Sequence, residues 1–124
     1  MAAVIGAAAM LAAAPAQQSG ISRTDLQRQD LSTAGWETIQ TRVDFATGAV
    51  AARHRHPGEE IVYVLQGSLE YRLDGRAPMT LKAGDVVFIP YGVIHGVTNV
   101  GDGPASELAT YVVEKGKPLV ELVK

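Results

Sequence analysis

The segment Arg53-His54-Arg55-His56-Pro57-Gly58-Glu59-Glu60 sets two imidazoles two residues apart and two carboxylates just beyond a Pro-Gly turn. In a strand, residues two apart share a face, so His54 and His56 project together while Arg53 and Arg55 point away. After the turn the chain can reverse and bring a carboxylate back beside them. Glu60 shares its parity with Val62 and Val64, whereas Glu59 points outward, and this selects Glu60. The chain has three histidines in all; the third, His95, follows Pro90-Tyr91-Gly92. A lone strand histidine is more often a surface residue or a satisfied core residue than a ligand. The metal assignment therefore rests on the coincidence of all three in these two segments. His54, His56, Glu60 and His95 are the expected ligands. Three neutral imidazoles and a carboxylate suit one divalent transition metal ion (Mn, Fe, Ni, Zn, Co or Cu) and do not suit a Ca²⁺ cage. In an octahedron they leave two adjacent positions open, where a ligand binds or chemistry occurs.

Distant residues meet in this way only if short strands bring them together. From Thr38 to Phe45 apolar and polar residues alternate with the period of a half-buried strand. Strand-like runs recur at 50–56, 60–66, 68–73, 79–81, 85–89, 93–99 and 107–113, separated by turn residues. Asp74-Gly75 reads as a two-residue hairpin turn with positive φ at both central positions. Ile89-Pro90-Tyr91-Gly92 reads as a type I turn. No 3.6-residue period follows the first segment, so the class is all-β, a sandwich or barrel. Parity places Val50, Ala52, Val62, Val64, Val93 and Val97 inward as small apolar walls, with no Arg on that face of the two histidine-bearing strands. Glu59, Tyr63, Tyr71, Gln40 and Tyr111 are further candidates for the pocket, although packing at a barrel face is the plainer role for the tyrosines.

A chain of 124 residues holds one domain. A net charge of −2 and 6% aromatic residues argue against a nucleic-acid partner. The absence of cysteine removes disulfides and thiolate sites. Residues 1–16, MAAVIGAAAMLAAAPA, read as a secretory signal peptide, too short to span a bilayer and without a basic start. The expected location is periplasmic or secreted, with cytoplasmic as the alternative and no membrane association in the mature form. Residues 17–35 read as a polar N-terminal arm or edge strand, and 36–124 as the barrel domain.

The pattern Gly48-(five residues)-His54-x-His56-(three)-Glu60-(six)-Gly67 resembles the first motif of the cupin superfamily, and Gly84-(five)-Pro90-x-Gly92-(two)-His95-(three)-Asn99 resembles the second. The resemblance covers Gly48 to Asn99. It implies a single cupin-type jelly-roll β-barrel (double-stranded β-helix), as in compact single-domain bacterial members. It also implies metal ligation by the same four residues, with turns at the glycines and Pro90 and a structural Asn99. Mn or Fe is favoured.

Fold does not name a reaction. The leading expectation is a small-molecule metalloenzyme of dioxygenase type acting on a chelating carbonyl or enol-type substrate. The alternatives are a non-catalytic ligand-binding or structural metal cupin, and a non-redox isomerase or hydrolase. The polar arm Ile21 to Leu31 can add a strand to a partner's sheet, and a homodimer is expected.

Overall fold

The computed structural model describes residues 18–124, so the expected leader at 1–16 lies outside the described residues. Ten strands follow one another: β1 (Ile21–Asp30), β2 (Trp36–Phe45), β3 (Val50–Arg55), β4 (Gly58–Gln66), β5 (Ser68–Leu73), β6 (Met79–Lys82), β7 (Val86–Ile89), β8 (His95–Asn99), β9 (Ala105–Glu114) and β10 (Glu121–Leu122). They form two antiparallel five-stranded sheets, β1-β2-β9-β4-β7 and β10-β3-β8-β5-β6. This is the expected jelly roll, in which two sheets enclose one core.

Alternation builds that core. Strand β2 turns Glu37, Ile39, Thr41, Val43 and Phe45 inward, and β4 turns Glu60, Val62 and Val64 inward while Glu59, Ile61, Tyr63 and Leu65 face out. Strand β9 runs between them, paired with β2 along its whole length and with β4 on its other side. Gly58 lies so close to β9 that a Cβ there would fall 2.0 Å from the Val112 carbonyl oxygen, so only glycine fits. The polar segment read as an arm is an edge strand: β1 pairs with β2 from Ile21↔Phe45 to Asp30↔Glu37.

The structure corrects three expectations. Val50 and Ala52 face solvent, and Ala49 and Ala51 are the buried residues. The cause is a bulge: Ala51 pairs with Val97 and His54 with His95, so β3 spends three steps where β8 spends two. One extra residue reverses the parity of everything before it. The β5–β6 connection is wider than a two-residue hairpin, because its last pair is Tyr71↔Met79. Within it only Gly75 has positive φ (84°), and the Arg76 N–H donates to the Leu73 carbonyl, a turn that needs glycine only at its third position. The turn before His95 is displaced by one residue: the Val93 N–H donates to the Pro90 carbonyl, and Gly92 (φ 69°) takes the third position.

Candidate metal centre

His54 and His56 leave β3 on its inner side, beyond the bulge, and His95 opens β8 directly opposite His54. Their ring centroids lie 4.2 to 5.0 Å apart. One nitrogen from each can serve as a metal ligand, and these atoms all lie within 4.8 Å of one another. Glu60 comes from β4 of the facing sheet. Its Oε2 is 3.0 Å from His56 Nε2 and 3.2 Å from His95 Nε2. The four residues singled out from the sequence are thus brought together, each no more than 7% exposed. Glu59 points to solvent.

The other ring nitrogens are tied to the main chain. His54 Nδ1 donates to the Ala52 carbonyl (2.6 Å), His56 Nδ1 to Leu119 (2.7 Å) and His95 Nδ1 to Val93 (2.9 Å). A carbonyl only accepts, so each Nδ1 carries a proton and Nε2 is the nitrogen left to serve as a ligand. His56 Nε2 and Glu60 Oε2 are buried there without any aligned hydrogen-bond partner. Buried acceptors that converge without a donor are costly, and a cation relieves them. The donor set and these orphaned atoms fit a divalent transition metal.

The electrostatics agree with this. Burial, reinforced by the nearby His95, lowers the His54 pKa from 6.5 to about 4. For His95, burial works against the charged ring, but contact with Glu60 outweighs it and the pKa rises. For Glu60, burial favours the neutral acid, yet His56 and His95 win and hold it as carboxylate, well below the usual range. In the metal-free protein a proton on this cluster supplies positive charge, and a bound ion would take its place.

Val62, Val64 and Val97 are buried as expected, and a polar layer joins these apolar walls around the centre. Tyr71 and Tyr111, 0% and 1% exposed, lie inside the barrel. The Tyr71 hydroxyl donates to Glu107, and the Tyr111 ring packs 4.8 Å from that of His56. Burial, with the charge of Glu60, raises the Glu107 pKa to about 8. Burial also raises both phenols, so they stay protonated. Arg23 of β1 reaches Tyr111, its Nη2 donating to the hydroxyl at 2.8 Å. Arg23 and Glu107 were missed in the sequence. Glu107 shares parity with Ala109, Tyr111 and Val113, and that pattern marks it as inward-facing. Tyr63 faces out, and Gln40 donates to Thr110 outside the barrel. Asn99 binds main chain, its amide donating toward the carbonyls of Phe45, Ala46 and Gly103, and is structural as expected.

A family model described as a cupin domain matches residues 41–118. The chain belongs to the cupin family. This cupin is 38% identical over 76 residues to germin-like protein subfamily 2 member 1 of Arabidopsis thaliana, a match covering 57% of the chain and 35% of that protein. It therefore spans little more than a third of the length of the curated relatives it matches. Among solved structures it is similar to an oxalate oxidase in complex with the substrate analogue glycolate, with a TM-score of 0.69 and 27% identity over 87% of this chain and 57% of that one. It is also similar to KdgF from Halomonas sp., with a TM-score of 0.65 and 25% identity over 78% and 82% of the two chains.

Proposed function

We propose that this cupin holds one divalent transition metal ion, Mn or Fe by preference, through His54, His56, Glu60 and His95, and acts on a small chelating carbonyl or enol-type substrate in the manner of a dioxygenase. The observation that carries the metal assignment is the pair of buried, unpartnered atoms His56 Nε2 and Glu60 Oε2 at the convergence of rings whose Nδ1 atoms are committed to main-chain carbonyls. When bound, the ion supplies Lewis acidity and, if redox-active, access to O₂. Glu60 offsets one of its positive charges, and burial of the four donors excludes bulk water. The likeness to an oxalate oxidase holding glycolate supports a small oxygen-chelating ligand.

One observation favours a second chemistry. Glu107, raised to about 8 and held by Tyr71, carries a proton at neutral pH close to the donors. A group of that kind suits proton transfer, and with a redox-inert ion the same site would perform a non-redox isomerisation.

Metal content after loading, measured for wild type, His95→Ala and Glu60→Gln, tests the ligand assignment. Both variants should lose most of the ion, and equal content in wild type and His95→Ala would remove the basis for the site. Oxygen uptake by the Fe²⁺- and Mn²⁺-loaded protein with chelating carbonyl compounds then separates the chemistries. Uptake in step with substrate loss supports the dioxygenase. Turnover without uptake supports isomerisation, and binding without turnover supports a ligand-binding cupin.

A further inference from the structure

Arg23 differs from the other arginines of the chain. Five of the remaining six, Arg28, Arg42, Arg53, Arg55 and Arg72, each contact a carboxylate within 3.2 Å, and Arg76 is exposed. Arg23 is partly buried on the inner face of β1 and has no carboxylate within 4.0 Å among the described residues. Its side-chain partner is the Tyr111 hydroxyl, and its guanidinium carbon stands 5.6 Å from the centre of the Tyr111 ring. A guanidinium offers five N–H donors in a planar fork. Tyr111 takes one of them, and no other side chain among the described residues takes another. A sequestered cation with unused donors favours an anionic partner.

Its position says which anion. Arg23 and His56 both stand against the Tyr111 ring, and Tyr111 is the register partner of Glu60 across β9 and β4. Glu107, the other inward carboxylate nearby, is engaged by the Tyr71 hydroxyl. A divalent ion with Glu60 leaves one positive charge at the centre, and Arg23 adds a second across one aromatic ring. The guanidinium carbon is 5.6 Å from the centre of the Tyr111 ring and the His56 ring 4.8 Å from it, so the two cationic points lie within reach of the two ends of one short molecule.

Building on the metal site proposed above, we infer that Arg23 anchors the ligand: the substrate is a short acid whose chelating oxygens meet the metal while a separate, remote carboxylate is gripped by the guanidinium of Arg23. The planar fork suits a carboxylate by paired N–H donation. Tyr111 orients it, because its hydroxyl is fixed to one arm of the guanidinium and its ring supports the face.

Malate and its 4-amide test this, since both present the same 2-hydroxy acid to the metal and differ only at the remote end. Metal content is measured first, by elemental analysis of Mn²⁺-loaded wild type, Arg23→Gln and Arg23→Lys; binding of the two compounds is then followed by calorimetry. Wild type should bind malate at least tenfold more tightly than the amide. Arg23→Gln should keep its metal, bind the amide as wild type does and lose the preference, while Arg23→Lys retains part of it. Equal binding of malate and amide by wild type overturns the anchor without use of any variant, as does an undiminished preference in Arg23→Gln. A protein that takes up no metal overturns the metal site and the anchor together, whereas metal uptake without the malate preference overturns the anchor alone.

Discussion

Acidifying the metal-free protein from pH 7 to pH 4 should weaken the fold through His54. The ring is 7% exposed, and its folded-state pKa is about 4 against an ordinary 6.5. The unfolded chain therefore binds a proton on His54 in this window that the folded chain refuses, and the contribution of this ring falls with pH from 6.5 toward 4. A displacement of about 2.5 units corresponds to about 3 kcal/mol at 1.36 kcal/mol per unit. Three neighbours act in the same region. Glu107, held up to about 8, keeps a proton that the unfolded chain gives up above 4.5, so its contribution grows as pH falls from 7 and opposes that of His54. Glu60, held low, contributes stability that is lost only as pH falls below its ordinary 4.5. His95, held high, contributes below 6.5 and loses that contribution as pH rises through its folded value, so it offsets part of the His54 effect. Comparing wild type with His54→Gln isolates the one ring. Urea unfolding at pH 7 and pH 4, with a chelator present, should show wild type losing about 3 kcal/mol more than the variant. The His54 ring resonance should titrate with a midpoint near 4. A midpoint near 6.5, or equal losses in the two proteins, would refute the claim that this ring is neutral and buried with its Nε2 free for a metal.

Gly58→Ala would set a Cβ 2.0 Å from the Val112 oxygen and 2.6 Å from the Val113 Cα, both of them main chain. Opening the β4–β9 pairing should cost about 3 kcal/mol, and a Tm within about 4 °C of wild type would contradict the close approach. Removing residues 118–124 takes the Leu119 carbonyl from His56 Nδ1. Metal affinity should then fall roughly ten- to a hundredfold, as for other loss of a ligand's outer partner, and unchanged affinity would show that the strap is dispensable. On the outer face of β4 and β7, Ile61, Tyr63, Leu65, Val86 and Phe88 are 37% to 65% exposed, with Ile61 opposite Phe88 and Tyr63 opposite Val86. This contiguous apolar patch is of the kind that marks an interaction site, of roughly 500 Å², and with a polar rim it nears the ~800 Å² each partner contributes to a standard interface. Sedimentation should give a dimer that Phe88→Glu converts to monomer; a monomeric wild type would be evidence against it.

Strand positions were legible because alternation and turn residues are local signals, and eight of the ten strands have them, while β1 reads only as a polar arm or edge strand. The two-residue β10 has neither: it exists because Glu121 and Leu122 pair with Arg55 and His54, a contact that no local pattern announces. The histidine pair was legible because Arg53 to His56 lies beyond the bulge, where simple parity holds. Val50 and Ala52 were misassigned because they lie before it, and a bulge is set by the partner strand. Glu60 was separable from Glu59 because its strand runs unbroken through Val62 and Val64. Arg23 was out of reach for a different reason. It belongs to a polar strand whose composition says only that it is an edge, and its inward turn depends on a hydroxyl 88 residues away.

The three imidazoles take their orientation from peptide carbonyls at Ala52, Leu119 and Val93. Every residue has such a carbonyl, so no substitution at those positions deletes the acceptor. Inheritance in this barrel is thereby split in two. The aim of the three rings follows the course of the backbone and survives substitution at the residues that supply the carbonyls, whereas the groups around the cluster are replaceable side chains such as Arg23, Tyr71 and Glu107. Selection can exchange those one at a time while the rings keep their aim.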